Sequence, residues 1–143
     1  RFEMSPSYNS MGTAESWQLS NAPVLNMAVH KASLDIFEEA GGMPALRERS
    51  LRLTAYLEKT VRAIASTTGA NLEIITPSNP VERGCQLSIV AHGQGRDLHD
   101  KLSEAGVVVD WREPDVIRMA PVPLYNSFED IARFGHILAE SLS

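Results

Sequence analysis

The first half of the chain carries two stretches in which apolar residues recur at helical spacing. The first follows Pro23, which suits the first turn of a helix, and it ends at Gly41 and Gly42. The second begins near Pro44 and ends near Gly69, with its apolar residues on one stripe. Residues 1–20 show no such period, so we expect them to be extended or to form a loop.

The second half of the chain alternates strand patterns with helix patterns. We expect strands at 72–76, 85–91, 107–109 and 116–120, with one helix after the second strand and another after the fourth. The stretch from 85 to 109 then reads strand, helix, strand, and a parallel crossover there would be right-handed. The last two strands are expected to form a hairpin.

The final helix has a clear start signal. Ser127 is placed as its N-cap, and Asp130 is placed for a variant of the capping box. Together the elements predict an α+β fold, in which two long helices precede a small, mostly antiparallel sheet of about four strands covered by helices. We divide the chain into an extended segment (1–20), a helical bridge (21–69) and an α+β small domain (70–143).

Composition restricts the classes of function. The chain has 143 residues, of which 43% are hydrophobic, and a formal net charge of -5 with acidic and basic residues interspersed. It has no basic block that could hold nucleic acid or an anionic membrane, and no apolar run near the roughly 20 residues that span a bilayer. We therefore expect a soluble, cytoplasmic protein without such partners. The chain begins without a methionine, so we expect a portion of a longer product.

Several kinds of catalytic or metal chemistry lack support in the sequence. Cys85 is the single cysteine and the four histidines are widely spaced, so we expect neither an internal disulfide nor a metal site. The sequence has no Gly-x-Ser-x-Gly elbow, and residues 92–95 lack the third glycine and the Lys-Ser/Thr ending of phosphate loops.

Arg118 interrupts the apolar strand predicted at 116–120. Burying a guanidinium costs several kcal/mol, about 3–5 if its partner is lost, unless an anion or a set of acceptors compensates for it. The planar fork of arginine suits bidentate binding of a carboxylate. An ion pair with an internal Asp or Glu is the structural alternative.

Ser20 and Asn21 stand directly before the first helix. Both residue types favour helix starts, so a capping role is sufficient to explain them. The functional alternative is that polar groups at a helix start hold an anion such as a phosphate.

Five stretches, in the same order and at compatible spacing, resemble the kynureninase family. The most specific is 118–126, which reads Arg-Met-Ala-Pro-Val-Pro-Leu-Tyr-Asn. The other four stretches are 17–23, 31–37, 53–58 and 82–88. The resemblance covers nearly the whole chain.

The resemblance implies a pyridoxal-phosphate (PLP) enzyme with the aspartate-aminotransferase-type fold. Members of the family work as homodimers with active sites at the subunit interface. They hydrolyse L-kynurenine or 3-hydroxykynurenine to anthranilate or 3-hydroxyanthranilate plus L-alanine, in tryptophan catabolism and NAD biosynthesis. The cofactor supplies the electron sink, and protein groups position and tune the substrate.

The resemblance also implies roles for individual residues. Arg118 matches the arginine that binds the substrate α-carboxylate. Asn21 matches an asparagine at the cofactor and substrate pocket, and Ser20 beside it faces the aromatic end of the substrate. Arg83 matches a recurrent family residue, for which we expect a structural ion pair.

The lysine that binds PLP covalently lies, in the family, upstream of the matched stretches. Lys31, Lys59 and Lys101 sit in helical patterns and none has the context of that lysine. We therefore expect no catalytic residue in this chain and no activity from it alone, with residues 1–20 continuing from a cofactor domain.

Two other interpretations compete with kynureninase. One is the C-terminal domain of another aminotransferase-like PLP enzyme, such as a cysteine desulfurase. The other is a non-catalytic α+β module that binds a small carboxylate.

Overall fold

Residues 5–143 are described by a computed structural model. The chain divides into two compact units, Arg1–Ile36 and Phe37–Ser143. Among the described helices, none combines the length and the apolar character that a membrane crossing requires.

The first unit contains little regular structure before its helix. A 3₁₀ turn spans Ala14–Trp17, and the remainder of residues 5–20 is irregular, which confirms the loop prediction there. Residues 1–4 lie outside the described part of the chain. Helix α1 spans Val24–Glu39, as its apolar period predicts, and none of its described residues is buried.

The second unit holds the remaining helices and the strands. After Gly41 and Gly42, whose positive φ angles separate the two long helices, the elements are α2 (Gly42–Thr68), β1 (Leu72–Ile74), a 3₁₀ turn (Pro80–Glu82), β2 (Leu87–Ala91), α3 (Gly95–Glu104), β3 (Asp110–Arg112), β4 (Val116–Met119) and α4 (Phe128–Ser141). The α+β prediction is confirmed.

The four strands form one antiparallel sheet in the order β1-β2-β4-β3. The predicted hairpin of the last two strands is present, with Asp110 opposite Arg118 and Arg112 opposite Val116. Since β4 is antiparallel to both of its neighbours, β2 and β3 run in the same direction on either side of it. The strand-helix-strand unit is therefore split by β4, and its two strands are not adjacent.

The strand predicted at 107–109 is wrong. The backbone N–H of Val107 donates to the carbonyl of Leu102 (2.9 Å), which extends the hydrogen bonding of the helix end into this segment. Val108 is 99% exposed, and β3 begins only at Asp110. The three valines have strand propensity, but the hairpin register with β4 decides which residues pair.

One face of the sheet carries the core. Buried and partly exposed residues alternate along β2 and β4, so every second side chain points to the helices. The core combines these inward strand residues with one stripe each of α2, α3 and α4: Leu53, Leu57, Val61, Leu87, Ile89, Ala91, Leu98, Leu102, Ile117, Met119, Ile131, Phe134 and Leu138.

Helices α2 and α4 approach each other closely at Gly135. A Cβ atom at this position would lie 2.7 Å from Cγ2 of Thr60 and 3.5 Å from Cδ1 of Ile64. The hydroxyl of Thr60 donates to the carbonyl of Tyr56 (2.9 Å), which fixes the rotamer that presents this methyl group. The helix contact therefore requires a residue without a side chain at 135.

The capping prediction for α4 is confirmed. The backbone N–H of Asp130 donates to Oγ of Ser127 (3.1 Å), and the backbone N–H of Ser127 donates to Oδ2 of Asp130 (2.8 Å). These bonds hold the pKa of the Asp130 carboxyl below its ordinary value, because the Ser127 amide and hydroxyl stabilise the charged form. The last helix thus starts at a position fixed by its own sequence.

Candidate carboxylate-binding site

Arg118 lies on the face of the sheet opposite the core. Ile117 and Met119 are buried, so the alternation of β4 directs Arg118 to the other side. It sits on an inner strand, opposite Ser88 of β2 and Asp110 of β3. Its side chain is 32% exposed. Our expectation of a guanidinium buried in apolar surroundings is wrong, because only one side of this strand faces the core.

Asp110 is the acidic partner of Arg118. Nε of Arg118 donates to Oδ2 of Asp110 (2.6 Å), and Nη2 contacts the same oxygen. Oδ2 also contacts Nε of Arg112 (3.1 Å). The hydrogen bond from Arg118, assisted by Arg112, outweighs desolvation and holds the pKa of Asp110 below its ordinary value. The internal ion pair that we considered as the alternative is therefore present.

The charges of the Asp110, Arg112 and Arg118 side chains do not cancel. Two guanidinium groups share one carboxylate, so the cluster Asp110, Arg112 and Arg118 carries a net charge of about +1 at neutral pH. Arg118 and Asp110 both remain in contact with solvent, at 32% and 48% side-chain exposure. An anion from outside the cluster can therefore be attracted to it and reach it.

Ser20 and Asn21 belong to the first unit and are exposed. The carbonyl of Pro23 accepts the hydrogen bond of the Met27 N–H (3.0 Å), so the backbone enters the helix at Pro23. Ser20 and Asn21 stand upstream of that position rather than within the first turn. Their roles at the cofactor and the aromatic end of the substrate stay predictions.

The segment after Arg118 is fixed by Asn126. Oδ1 of Asn126 accepts the Val122 N–H (2.8 Å), and the Asn126 N–H donates to the Val122 carbonyl (2.9 Å). Nη2 of Arg49 on α2 donates to the carbonyl of Asn126 (3.0 Å). Sequence reasoning missed Arg49, since a single arginine on a helix gives no signal of its distant partner.

Arg83 forms the structural ion pair that we expected. Its side chain is 7% exposed; Nη2 lies 2.7 Å from Oε2 of Glu58, and Nη1 donates to the carbonyl of Pro77 (3.2 Å). Burial raises the pKa of the Glu58 carboxyl, but hydrogen bonds from Arg62 and Arg83 outweigh it, so the net pKa is lowered. The pair ties the segment before β2 to α2.

Two concave regions lie near the sheet. One, of about 370 Å³, lies between 105–109 and α4, and Leu57, Ile131 and Phe134 are among its lining residues. The other, of about 350 Å³, is lined by residues that include Arg83 and Ser88. Among the described lining residues of both, Arg118 is missing, although its cross-strand neighbour Ser88 lines the second. At 32% side-chain exposure, the guanidinium is accessible to solvent within its own unit.

The described residues do not fit a covalently held PLP by themselves. Lys31, Lys59 and Lys101 are all exposed on helices, and two of them are engaged on the surface: Lys31 with Asp35 at 2.7 Å, and Lys101 with the Ser141 carbonyl at 3.0 Å. A lysine that binds this cofactor needs a shielded pocket that lowers its pKa. Within residues 5–143 there is also no group of three or more His, Cys, Asp or Glu side chains that could hold a metal ion.

Comparison with known proteins points to one family. The family described as Kynureninase C-terminal domain matches residues 46–138. A protein named Kynureninase from Flavobacterium psychrophilum is 48% identical over 142 residues, which is 99% of this chain and 33% of the relative. One of the same name from Xanthomonas oryzae pv. oryzae is 54% identical over 137 residues, 94% of this chain and 31% of the relative. The chain thus spans about a third of the length of these relatives.

Proposed function

Because the chain belongs to the kynureninase family, whose C-terminal domain it matches, we propose that it is the C-terminal part of a PLP-dependent hydrolase. The enzyme hydrolyses L-kynurenine or 3-hydroxykynurenine to anthranilate or 3-hydroxyanthranilate plus L-alanine. It works as a cytoplasmic homodimer. Within the enzyme, the role of this chain is to bind and orient the substrate. The lysine that holds PLP lies elsewhere in the enzyme, so the chain alone is inactive.

The observation that carries the proposal is the excess positive charge around Arg118. The substrate is an amino acid, and its α-carboxylate is the anion that the uncompensated charge of the cluster would bind. A guanidinium binds a carboxylate through two parallel hydrogen bonds, which fixes the orientation of the amino acid as well as its position. Arg118 is therefore proposed as the substrate-binding residue.

The rigid surroundings of Arg118 support this role. Arg118 extends from an inner strand whose backbone is paired on both sides, to β2 and to β3. The chain after the strand is fixed through Asn126 and Arg49. A site on such a framework holds its geometry better than one on a loop. The solvent exposure of Arg118 leaves room for the walls of a pocket that the rest of the enzyme would supply.

We also propose roles for Ser20 and Asn21 near the cofactor. We propose that Asn21 contacts PLP and the substrate, and that Ser20 lies near the aromatic ring. Both residues are exposed and lie upstream of α1 in the chain.

The test is the replacement of Arg118 in the full-length enzyme. Arg118→Ala is expected to lower kcat/KM by about 30- to 1000-fold, equivalent to about 2–4 kcal/mol, because the substrate carboxylate loses its partner. Arg118→Lys keeps the charge but not the planar fork, so we expect an intermediate loss. Arg133→Ala, which removes an exposed arginine from α4, is the control and should leave the kinetics unchanged.

A folded Arg118→Ala enzyme with unchanged kcat/KM would contradict the assignment. Circular dichroism and the thermal unfolding temperature of each variant establish that the enzyme is folded. If Arg133→Ala lowers kcat/KM as much as Arg118→Ala does, the loss reflects general surface charge rather than a specific site.

A further inference from the structure

We propose that Asp110 is a positioning residue, which holds the guanidinium of Arg118 along one edge and leaves the other donors to the carboxylate of the substrate. The inference rests on the proposed function and adds to it a second residue whose effect on binding passes through Arg118.

The donor pattern of Arg118 defines the two edges. An arginine side chain has five N–H donors: one on Nε, two on Nη1 and two on Nη2. Asp110 takes the edge formed by Nε and Nη2, through the single oxygen Oδ2. In the described part of the chain Nη1 has no hydrogen-bond partner. The end of the fork, with one N–H from Nη1 and one from Nη2, therefore remains for a bidentate carboxylate.

The backbone places Asp110 for this contact. Asp110 and Arg118 are directly opposite in the β3–β4 hairpin, so their side chains leave the same face of the sheet. Arg112, two residues further along β3, lies on that face too and contacts the same oxygen of Asp110 at 3.1 Å. The carboxylate is thus held from two sides. Its lowered pKa keeps it ionised at neutral pH.

Asp110 could act on Arg118 in two ways, by positioning it or by competing with the substrate for it, and the two predict opposite changes in KM when Asp110 is removed. If Asp110 mainly competes with the substrate for Arg118, its removal lowers KM. If it mainly holds Arg118 in one rotamer, its removal raises KM, since a free arginine side chain must be ordered by the substrate. We favour positioning, because the fork end that binds a carboxylate is not the edge that Asp110 occupies.

The experiment measures KM and kcat of the full-length enzyme with Asp110→Ala and Asp110→Asn. Asp110→Ala is expected to raise KM about tenfold, the size of one charge-assisted hydrogen bond, with a smaller effect on kcat. Asp110→Asn keeps an acceptor oxygen and should recover most of that loss. Asp100→Ala on α3, which also removes an exposed aspartate that pairs with an arginine, is the matched control and should leave KM unchanged.

A double-mutant cycle separates positioning from a structural role. In the Arg118→Ala background, Asp110→Ala should not change KM further, because Asp110 acts through Arg118. With a substrate whose carboxylate is methylated, the effect of Asp110→Ala should also disappear. A structural role would give the same loss in both backgrounds and with both substrates.

The failures of the two proposals are distinguishable. If Arg118→Ala lowers kcat/KM but Asp110→Ala leaves KM unchanged or lowers it, the positioning role is wrong and the function stands. If Arg118→Ala itself leaves the kinetics unchanged, the carboxylate site is wrong, and the role of Asp110 falls with it.

Discussion

Removal of Glu58 should destabilise the second unit strongly, because it isolates a buried cation. The side chain of Arg83 is 7% exposed, and Glu58 is its acidic partner at 2.7 Å. In Glu58→Ala the guanidinium would keep the carbonyl of Pro77 as an acceptor but would lose its counter-charge. The perturbation is therefore an uncompensated charge rather than a lost surface contact.

The expected magnitude follows from burial. Breaking a fully buried ion pair by removing one partner costs about 3–5 kcal/mol. The side chain of Glu58 is 17% exposed, so water can partly replace the carboxylate. We expect Glu58→Ala to cost about 2–3 kcal/mol, whereas Glu58→Gln, which keeps an acceptor oxygen, should cost about 1 kcal/mol. Replacing both partners, as Glu58→Leu with Arg83→Met, should cost less than Glu58→Ala alone.

The assay is amide hydrogen exchange of the full-length enzyme, followed by mass spectrometry of peptides from α2 and β2. Local opening energies from exchange do not require the whole enzyme to unfold in one step. The control is Glu48→Ala, which removes an exposed glutamate from the same helix. If Glu58→Ala and Glu48→Ala change exchange equally, the ion pair does not stabilise this unit and the reasoning is refuted.

The same pair predicts a pH dependence. The pKa of Glu58 in the folded chain is below its ordinary value of 4.5, so the unfolded chain binds the proton more readily. The stabilisation from Glu58 is then fully present above pH 4.5 and is lost as the pH falls through the lowered pKa. Wild-type protection in α2 and β2 should weaken in this acidic range, and Glu58→Gln should lack this component.

The remaining predictions concern α4. Gly135→Ala should destabilise the enzyme by about 1–2 kcal/mol, because the added methyl group meets Thr60, although alanine normally stabilises a helix. Gly84→Ala, where the added methyl group meets open space, is the control and should be neutral. A higher unfolding temperature for Gly135→Ala would contradict the close contact. Ser127→Ala should lower the free energy of unfolding by about 1 kcal/mol and speed amide exchange in the first turn of α4. Because the pKa of Asp130 is lowered, the stabilisation that Asp130 contributes should fade as the pH drops below 3.8. Unchanged amide exchange in Ser127→Ala would refute the cap.

Local patterns in the sequence predict most elements of the fold. The apolar period of α2 and the alternation of β2 depend on which side of each element faces the core, and both are present as expected. The capping box of α4 is a contact between residues three apart, so it also follows from local sequence. The order of the strands does not follow from local sequence, because the insertion of β4 between β2 and β3 depends on pairing between residues that are distant in the chain.

The candidate site was predictable only in part. Arg118 was singled out as an arginine in an apolar strand, but the expected burial in apolar surroundings is wrong, because it lies on the face of the sheet opposite the core. Asp110 was missed, although a signal existed: Asp110 and Arg118 are equally distant from Pro114 in the turn, and such positions face each other in a hairpin. The misplacement of β3 by three residues hid this relation.

The insertion of β4 has a consequence for the order of events during synthesis. In the described sheet β4 is the single neighbour of β3, and it also covers the inner edge of β2. When only residues up to 112 have left the ribosome, β2 and β3 have been made but the edges that will pair with β4 are still open. Such open edges are prone to wrong pairing. Arg118 lies on the strand that closes both edges, so completion of the sheet and creation of the anion site are one step. A nascent chain cannot present this guanidinium in its final place before its sheet is finished.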